Sequence, residues 1–398
     1  MKLKERVILH CDANNFFASC ECLDKPELLS QPVAVSGNPA KRTGIILAKN
    51  EIAKKAGVCT GEPIWQAKQK CPQLVCLPPH HEFYQTVSDR LKNIYLTYTD
   101  HVESFGIDEC WLDVTDSQKL FGDGMQIAET IRKRVKSEIG ITVSIGVSFC
   151  KIFAKLGSDM KKPDAITQIS KQDYKKMTYN LPLTDVIGFG RRLSATLSKT
   201  DIKTIGDFVN TPTEYIQRKM GIVGVQMKEK LSGYDFDPVL VFMPLPKSVG
   251  NGTTTIVDIQ TKEEISNTIA FLCDKISARL RKNNFSASTI GVTLKTSEFK
   301  HFHHDTKMPY FTNDSLQLHQ NALALVDTFW NYDQKVRSVT VRTANLKQTS
   351  DFQQQSMFEN PKIKGLGFGI DQLRQKYGKG AITLASNLTS TFIDGEKD

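Results

Sequence analysis

The sequence predicts a mixed α/β (α+β) chain of several domains, and three observations carry that prediction. At 398 residues the chain is long enough for more than one hydrophobic core. Short apolar, β-branched runs such as Val7-Ile-Leu-His-Cys11 read as strands and alternate with segments of helical periodicity. The stretch from Asp237-Pro238 to Pro244-Leu-Pro246 breaks the pattern and reads as an extended linker, because proline restricts itself and its predecessor.

Taken in order, residues 1–15 and 82–172 alternate strands and helices and are assigned to one sheet domain. Residues 16–81 lie between its two parts. Residues 173–240 are helical and punctuated by glycine, and 241–247 form the linker. Residues 248–350 return to strands at Thr253-Thr-Thr-Ile-Val257, Ser288-Thr-Ile-Gly-Val-Thr-Leu294 and Arg337-Ser-Val-Thr-Val-Arg-Thr343. Helical patterns near 261–282 and 314–330 separate these strands, an order that suggests a split βαβ domain with one further, unplaced strand. Residues 351–398 read as a tail, polar and flexible over 351–362, with a short helix near 370–377.

Chemistry enters with three acids. Asp12 ends the first apolar run, and Asp108-Glu109 falls where one strand turns into the next within Val102–Val114. An Asp-Glu pair in a turn is most often only solvated. Carboxylates at strand ends on one sheet edge can instead converge on hard cations, and Mg²⁺ favours a few carboxylates plus substrate phosphates. Two such ions about 3.5–4 Å apart stabilise the attacking and leaving oxygens of a phosphoryl transfer.

The company these acids keep is specific. Asp12-Ala-Asn-Asn-Phe-Phe-Ala-Ser-Cys-Glu21, the Asp108-Glu109 hairpin, Val143-Ser-Ile-Gly-Val-Ser-Phe-Cys-Lys-Ile-Phe-Ala-Lys155 and Ser158-Asp-Met-Lys-Lys-Pro-Asp164 follow one another in an order that resembles the Y-family (translesion) DNA polymerases. The resemblance continues through Leu181–Gly190 and Lys247-Ser-Val-Gly250 and covers nearly the whole chain. It leans toward Gram-positive members and the catalytic subunit of DNA polymerase V, through Asn50-Glu-Ile-Ala-Lys54. It implies a right-hand polymerase: the sheet domain as palm, 16–81 as small fingers, 173–240 as helical thumb and 248–350 as little finger. It implies low-fidelity, template-directed DNA synthesis with two Mg²⁺ held by Asp12, Asp108 and Glu109, and the Ala13 carbonyl as a further ligand. Phe16 and Phe17 would border the nucleotide, with Phe17 the gate beneath the incoming sugar. Lys54 and Lys162 would meet the triphosphate, as point charges that need no bidentate geometry. Many members carry Tyr where this chain has Glu51 and Arg where it has Lys54, so Glu51 is expected to point away from a triphosphate. Asp159 either orients Lys155 or Lys162 or is a solvated helix residue.

Gly188 and Gly190, ahead of Arg191-Arg192, and the pair Gly221 and Gly224 suit close backbone approach to DNA phosphate. Lys247, Arg279, Arg281, Lys282, Lys295, Arg337 and Arg342 give the C-terminal domain a basic cast; Lys247, Arg337 and Arg342 are read as DNA contacts. Strand alternation would put Arg337, Val339, Val341 and Thr343 on one face and Arg342 on the other. In the tail, Gln354-Gln-Ser-Met-Phe358 resembles the peptide by which bacterial polymerases dock on the β sliding clamp, with Gln354, Met357 and Phe358 as its anchors.

A net charge of +9 is compatible with a polyanionic partner without proving one. Nine cysteines, eight within the first 150 residues, have no convincing zinc or redox spacing and read as reduced thiols. His301, His303 and His304 read as exposed loop residues. No 18-residue apolar run or signal peptide is evident. The resemblance implies a monomer in the bacterial cytoplasm, at the nucleoid, with primer–template DNA and deoxynucleoside triphosphates as partners. The rival readings are a nucleotide cyclase with a palm-like sheet and a non-catalytic DNA- or clamp-binding protein.

Overall fold

The computed structural model describes residues 5–38, 42, 44–190, 193, 197, 200–242, 245–348, 361–378 and 380–383. The chain divides into two compact units, Met1–Gly37 with Ile45–Met243, and Asn38–Gly44 with Pro244–Asp398.

The first unit begins with β1 (Ile8–Ala13), α1 (Phe16–Glu21), β2 (Val33–Ser36), β3 (Ile46–Lys49), α2 (Glu51–Lys55), α3 (Ile64–Lys70), β4 (Val75–Leu77) and α4 (His81–Leu96). It continues with β5 (Val102–Ser104), β6 (Glu109–Asp113), α5 (Gln118–Phe121), α6 (Gly124–Arg134), β7 (Val143–Ser148), α7 (Lys151–Met160), β8 (Ile166–Ile169), α8 (Tyr174–Thr178), α9 (Ile205–Asn210) and α10 (Thr213–Leu231). Its main sheet has the order β5-β6-β1-β7-β8. Every residue of β1 is buried, as a central strand covered on both faces requires, which is why it reads as an apolar run rather than an alternation. Leu9 and Cys11 point into a core shared with Tyr84, Val87 and Leu91 of α4 and Ile127 and Ile131 of α6. Period-two alternation then sends His10 and Asp12 to the opposite face, where α7 packs. Gly146 makes that packing close: a Cβ there would stand 1.9 Å from the Ala154 carbonyl oxygen. The 16–81 segment builds a small sheet of its own, β3-β2-β4. In α10, Gly221 takes φ 66 and breaks the helix into two.

The second unit contains β9 (Ser248–Ile259), α11 (Lys262–Lys282), β10 (Phe285–Thr296), β11 (His301–Thr312), α12 (Ser315–Phe329), β12 (Val336–Gln348) and α13 (Pro361–Tyr377). Its antiparallel sheet runs β11-β10-β12-β9. Helices α11 and α12 start at a Thr261–Glu264 capping box and an Asp314 cap, and share a core with β9, β10 and β12.

Three expectations need correction here. The unplaced strand is β11, so His301, His303 and His304 lie on a strand rather than a loop; they are exposed because it is the sheet's edge. The C-terminal helix is longer than 370–377, spanning Pro361–Tyr377. Arg337 does not share a face with Val339: a register shift between Val336 and Ser338 buries Val336 and Val339 and leaves Arg337 over the Phe299 ring, 5.1 Å from its centroid.

Candidate active site

Asp12 and Glu109 are directly paired in the β1–β6 register, so both carboxylates leave the sheet on the α7 side. Asp108 is the last residue of the turn before β6, and its carbonyl accepts a hydrogen bond from the Ala13 N–H at 3.0 Å. The turn is closed by Phe105 N–H to the Glu109 carbonyl at 2.8 Å, with Gly106 at φ 85. From α7, the Lys155 ammonium lies 2.9 Å from Asp12 Oδ2, 3.0 Å from Glu109 Oε2 and 3.2 Å from Asp159 Oδ2. Lys162, just past α7, lies 2.8 Å from both Asp12 Oδ2 and Asp159 Oδ1. Asp159 thus pairs with both lysines. Asn14 fastens the end of β1: its Oδ1 accepts from Thr142 Oγ1 at 3.0 Å and from Asp164 N–H at 2.9 Å, and its Nδ2 donates to Ser144 Oγ at 2.9 Å.

Three carboxylates, Asp12, Glu109 and Asp159, pair with two ammonium groups, which leaves one negative charge; an ionised Asp108 adds a second, the charge of one divalent cation. Asp108 is the uncompensated member: among the described residues no cationic side chain forms an ion pair with it. Burial, then the Asp12 and Glu109 charges, push its carboxyl up to about 6. Burial also pushes Glu109 up, but His10 and Lys155 outweigh that and hold its carboxyl well below the usual range. Burial pulls Lys155 down, and Asp12, Asp159 and Glu109 more than restore its charge. His10 stays neutral to lower pH than a free histidine because burial outweighs its acidic neighbours. His10, Asp12 and Glu109 offer ligand atoms within 4.8 Å of one another. Glu109 Oε2 is buried, with Lys155 Nζ at 3.0 Å and His10 Nε2 at 3.4 Å, neither in good hydrogen-bond alignment. An all-oxygen carboxylate set with ammonium groups in a cation's place fits a hard divalent metal.

Phe16 and Phe17 diverge. The Phe16 ring is 3 % exposed and belongs to the core, so only its backbone can border a ligand. The Phe17 ring is half-buried and stacks on Tyr84 at 4.4 Å and 15°. Tyr84 is held in turn by its hydroxyl donating to the buried Glu21 carboxylate at 2.5 Å. Glu51 faces the turn after β1: its carboxylate accepts from Asn15 Nδ2 at 3.1 Å and lies 3.6 Å from exposed Lys54. Asn15 sits at φ 51, a left-handed conformation that asparagine tolerates better than most residues. His10 and Tyr84 were not singled out from the sequence, and Asn14 and Glu21 entered only as members of the motif that carries the resemblance. For His10, Glu21 and Tyr84 the one visible signal was a polar residue inside an otherwise apolar strand or helix face; Asn14 lies in the turn after β1.

Gly188 takes φ 96, which favours glycine, and Gly190 leaves open space where a Cβ would stand. Lys247 and Arg342 are exposed. Arg281 is not available to DNA: it is buried and makes a bidentate pair with Asp371 of α13 at 2.6 and 2.9 Å. Arg191, Gln354, Met357 and Phe358 lie outside the described residues.

Residues 11–159 match the impB/mucB/samB family, and residues 246–357 match its C-terminal domain. The chain belongs to this family, the Y-family of DNA polymerases. Its relatives include DNA polymerase IV of Acetivibrio thermocellus, 41 % identical over 94 % of this chain and 95 % of that protein. DNA polymerase IV 2 of Halalkalibacterium halodurans is 32 % identical over 97 % and 96 %, and DNA polymerase IV 2 of Bacillus subtilis is 32 % identical over 98 % and 96 %. A solved Y-family DNA polymerase chimera of Dbh and Dpo4 superposes with a TM-score of 0.76 at 23 % identity, covering 85 % of this chain and 98 % of that one. The Y-family fold expected from the motifs is therefore present. Among the described residues no helix is long and apolar enough to cross a membrane.

Proposed function

We infer that this Y-family member is a template-directed DNA polymerase that performs low-fidelity translesion synthesis, with Asp12, Asp108 and Glu109 as its metal ligands. The observation that supports the site assignment is the meeting of these acids at the ends of paired strands, with more negative charge than the two lysines balance. Two Mg²⁺ ions, when bound, would stabilise the attacking primer 3′ oxygen and the leaving pyrophosphate oxygen. The chain's own residues do the rest. Asp12, Asp108, Glu109 and the Ala13 carbonyl would hold the ions. The Lys162 side chain is 28 % exposed against 11 % for Lys155, so Lys162 is the one free to leave Asp12 and meet the triphosphate, and Lys54 is its second cationic contact. The backbone of Phe16 and the ring of Phe17 border the sugar, and the ring rejects a ribose 2′-OH by clash.

The palm is 1–15 with 82–172, the fingers 16–81, the thumb 173–240 and the little finger 248–350. Gly188, Gly190 and Arg191 in the thumb, and Lys247, Arg337 and Arg342 beyond it, hold DNA by its backbone without reading sequence. Gln354, Met357 and Phe358 dock a monomeric enzyme on the β sliding clamp at the nucleoid. The test is primer extension on an undamaged template and on templates carrying defined lesions. The reading predicts incorporation on both, with frequent mispairing on the undamaged template; no extension on either would overturn it.

A further inference from the structure

His10 is a fully buried polar residue in the central strand, two positions before Asp12. Its ring is held on three sides. Nδ1 lies 2.9 Å from Ser158 Oγ, Trp111 packs against the ring at 5.0 Å and 63°, and Nε2 lies 3.4 Å from Glu109 Oε2. Nε2 and Oε2 are both buried, and neither has a well-aligned hydrogen-bond partner. A neutral imidazole carries one N–H, and its place follows from the other ring nitrogen's partner. With the proton on Nδ1, a bare Nε2 lone pair would face a carboxylate in a water-poor site, and Glu109 Oε2 would stay unsatisfied. With the proton on Nε2, the N–H faces Glu109. The Ser158 hydroxyl, a free rotor otherwise directed at the Lys155 carbonyl at 2.8 Å, can donate to Nδ1.

We propose that His10 is a positioning residue: as the Nε2–H tautomer it donates to Glu109 Oε2 and fixes the orientation of that carboxylate toward a bound metal ion. Lys155, the other group near Oε2, sits on a flexible stem and is shared with Asp12 and Asp159. The packed His10 ring offers a fixed donor instead. The proposal rests on the reading of Glu109 as a metal ligand. Partners that orient a ligand in this way typically change metal affinity by about 10–100-fold.

Two measurements test it. Nitrogen NMR of histidine-labelled protein, with the His10 signals identified by their loss in His10→Gln, is expected to show a protonated Nε2 and a bare Nδ1; the opposite tautomer overturns the proposal. Mn²⁺ binding is then followed by electron paramagnetic resonance on protein with a dideoxy-terminated primer–template and a deoxynucleoside triphosphate. His10→Phe keeps the ring without donors, and His10→Asn keeps an amide only near Nδ1. Both are expected to weaken Mn²⁺ binding about 10–100-fold, whereas His10→Gln, whose amide reaches the Nε2 position, restores most of it. If Glu109→Gln weakens Mn²⁺ binding and His10→Phe does not, the positioning role falls alone. If Glu109→Gln has no effect either, the metal-site reading falls with it. The NMR result on the wild-type protein stands even where a variant fails to fold.

Discussion

Lys155 bridges Asp12 and Glu109, its ammonium 2.9 Å from one carboxylate and 3.0 Å from the other, across a pair of directly opposed strand residues. The bridge holds the site together when no metal neutralises it. Lys155→Met should therefore leave the partly buried Glu109 without a cationic partner and Asp12 with Lys162 alone, at a cost of about 3–5 kcal/mol. Thermal melts should show a large drop in Tm without metal and a smaller drop in excess Mg²⁺. Equal drops in both conditions would mean that the ammonium and the metal do not share a place.

Asp108 carries the opposite sign. Its folded value of about 6 lies above the ordinary 3.8, so the fold disfavours its charge. Its contribution to stability is fully present below pH 3.8 and is lost as pH rises toward 6. At pH 7 without metal, Asp108→Asn should be more stable than wild type by on the order of 1–2 kcal/mol, and the gain should vanish near pH 4. Urea melts at the two pH values check this. In wild type, the Mg²⁺ concentration for half-maximal extension should rise as pH falls through about 6, because protons compete for the same oxygens.

Phe17 owes its position to the Tyr84 stack, which the Tyr84–Glu21 hydrogen bond anchors. Phe17→Ala should raise ribonucleotide incorporation relative to deoxyribonucleotide by an order of magnitude or more. The measurement is kcat/KM for a matched nucleotide pair on one template; unchanged discrimination would assign the gate to another residue.

The proposed docking of Gln354, Met357 and Phe358 on a sliding clamp makes a separate prediction. Replacing Met357 and Phe358 with Ala should abolish stimulation by loaded sliding clamp and spare basal synthesis on short primed templates. A tether acts through effective concentration, not through the chemistry. Full stimulation of the double variant would place the docking contact elsewhere.

Much of this was legible in the sequence. The acids, the strands that carry them and the helices at 262–282 and 315–329 announce themselves by local pattern. What escaped depends on distant partners. His10 looked like part of an apolar strand until α7 brought Ser158 to it. Arg281 looked like surface charge until α13 supplied Asp371. The strand β11 escaped because an edge strand with eight of twelve positions exposed carries no apolar alternation. The bulge at Arg337 broke the strict alternation that had put it on the face of Val339.

The most direct test is primer extension by Asp108→Ala beside wild type, with primer–template affinity measured on the same samples. The account predicts near-complete loss of nucleotide addition with DNA binding largely intact, because removing a ligand disables metal-assisted stabilisation worth several kcal/mol while phosphate contacts elsewhere remain. Robust extension by Asp108→Ala, with contaminating polymerase excluded, would contradict it.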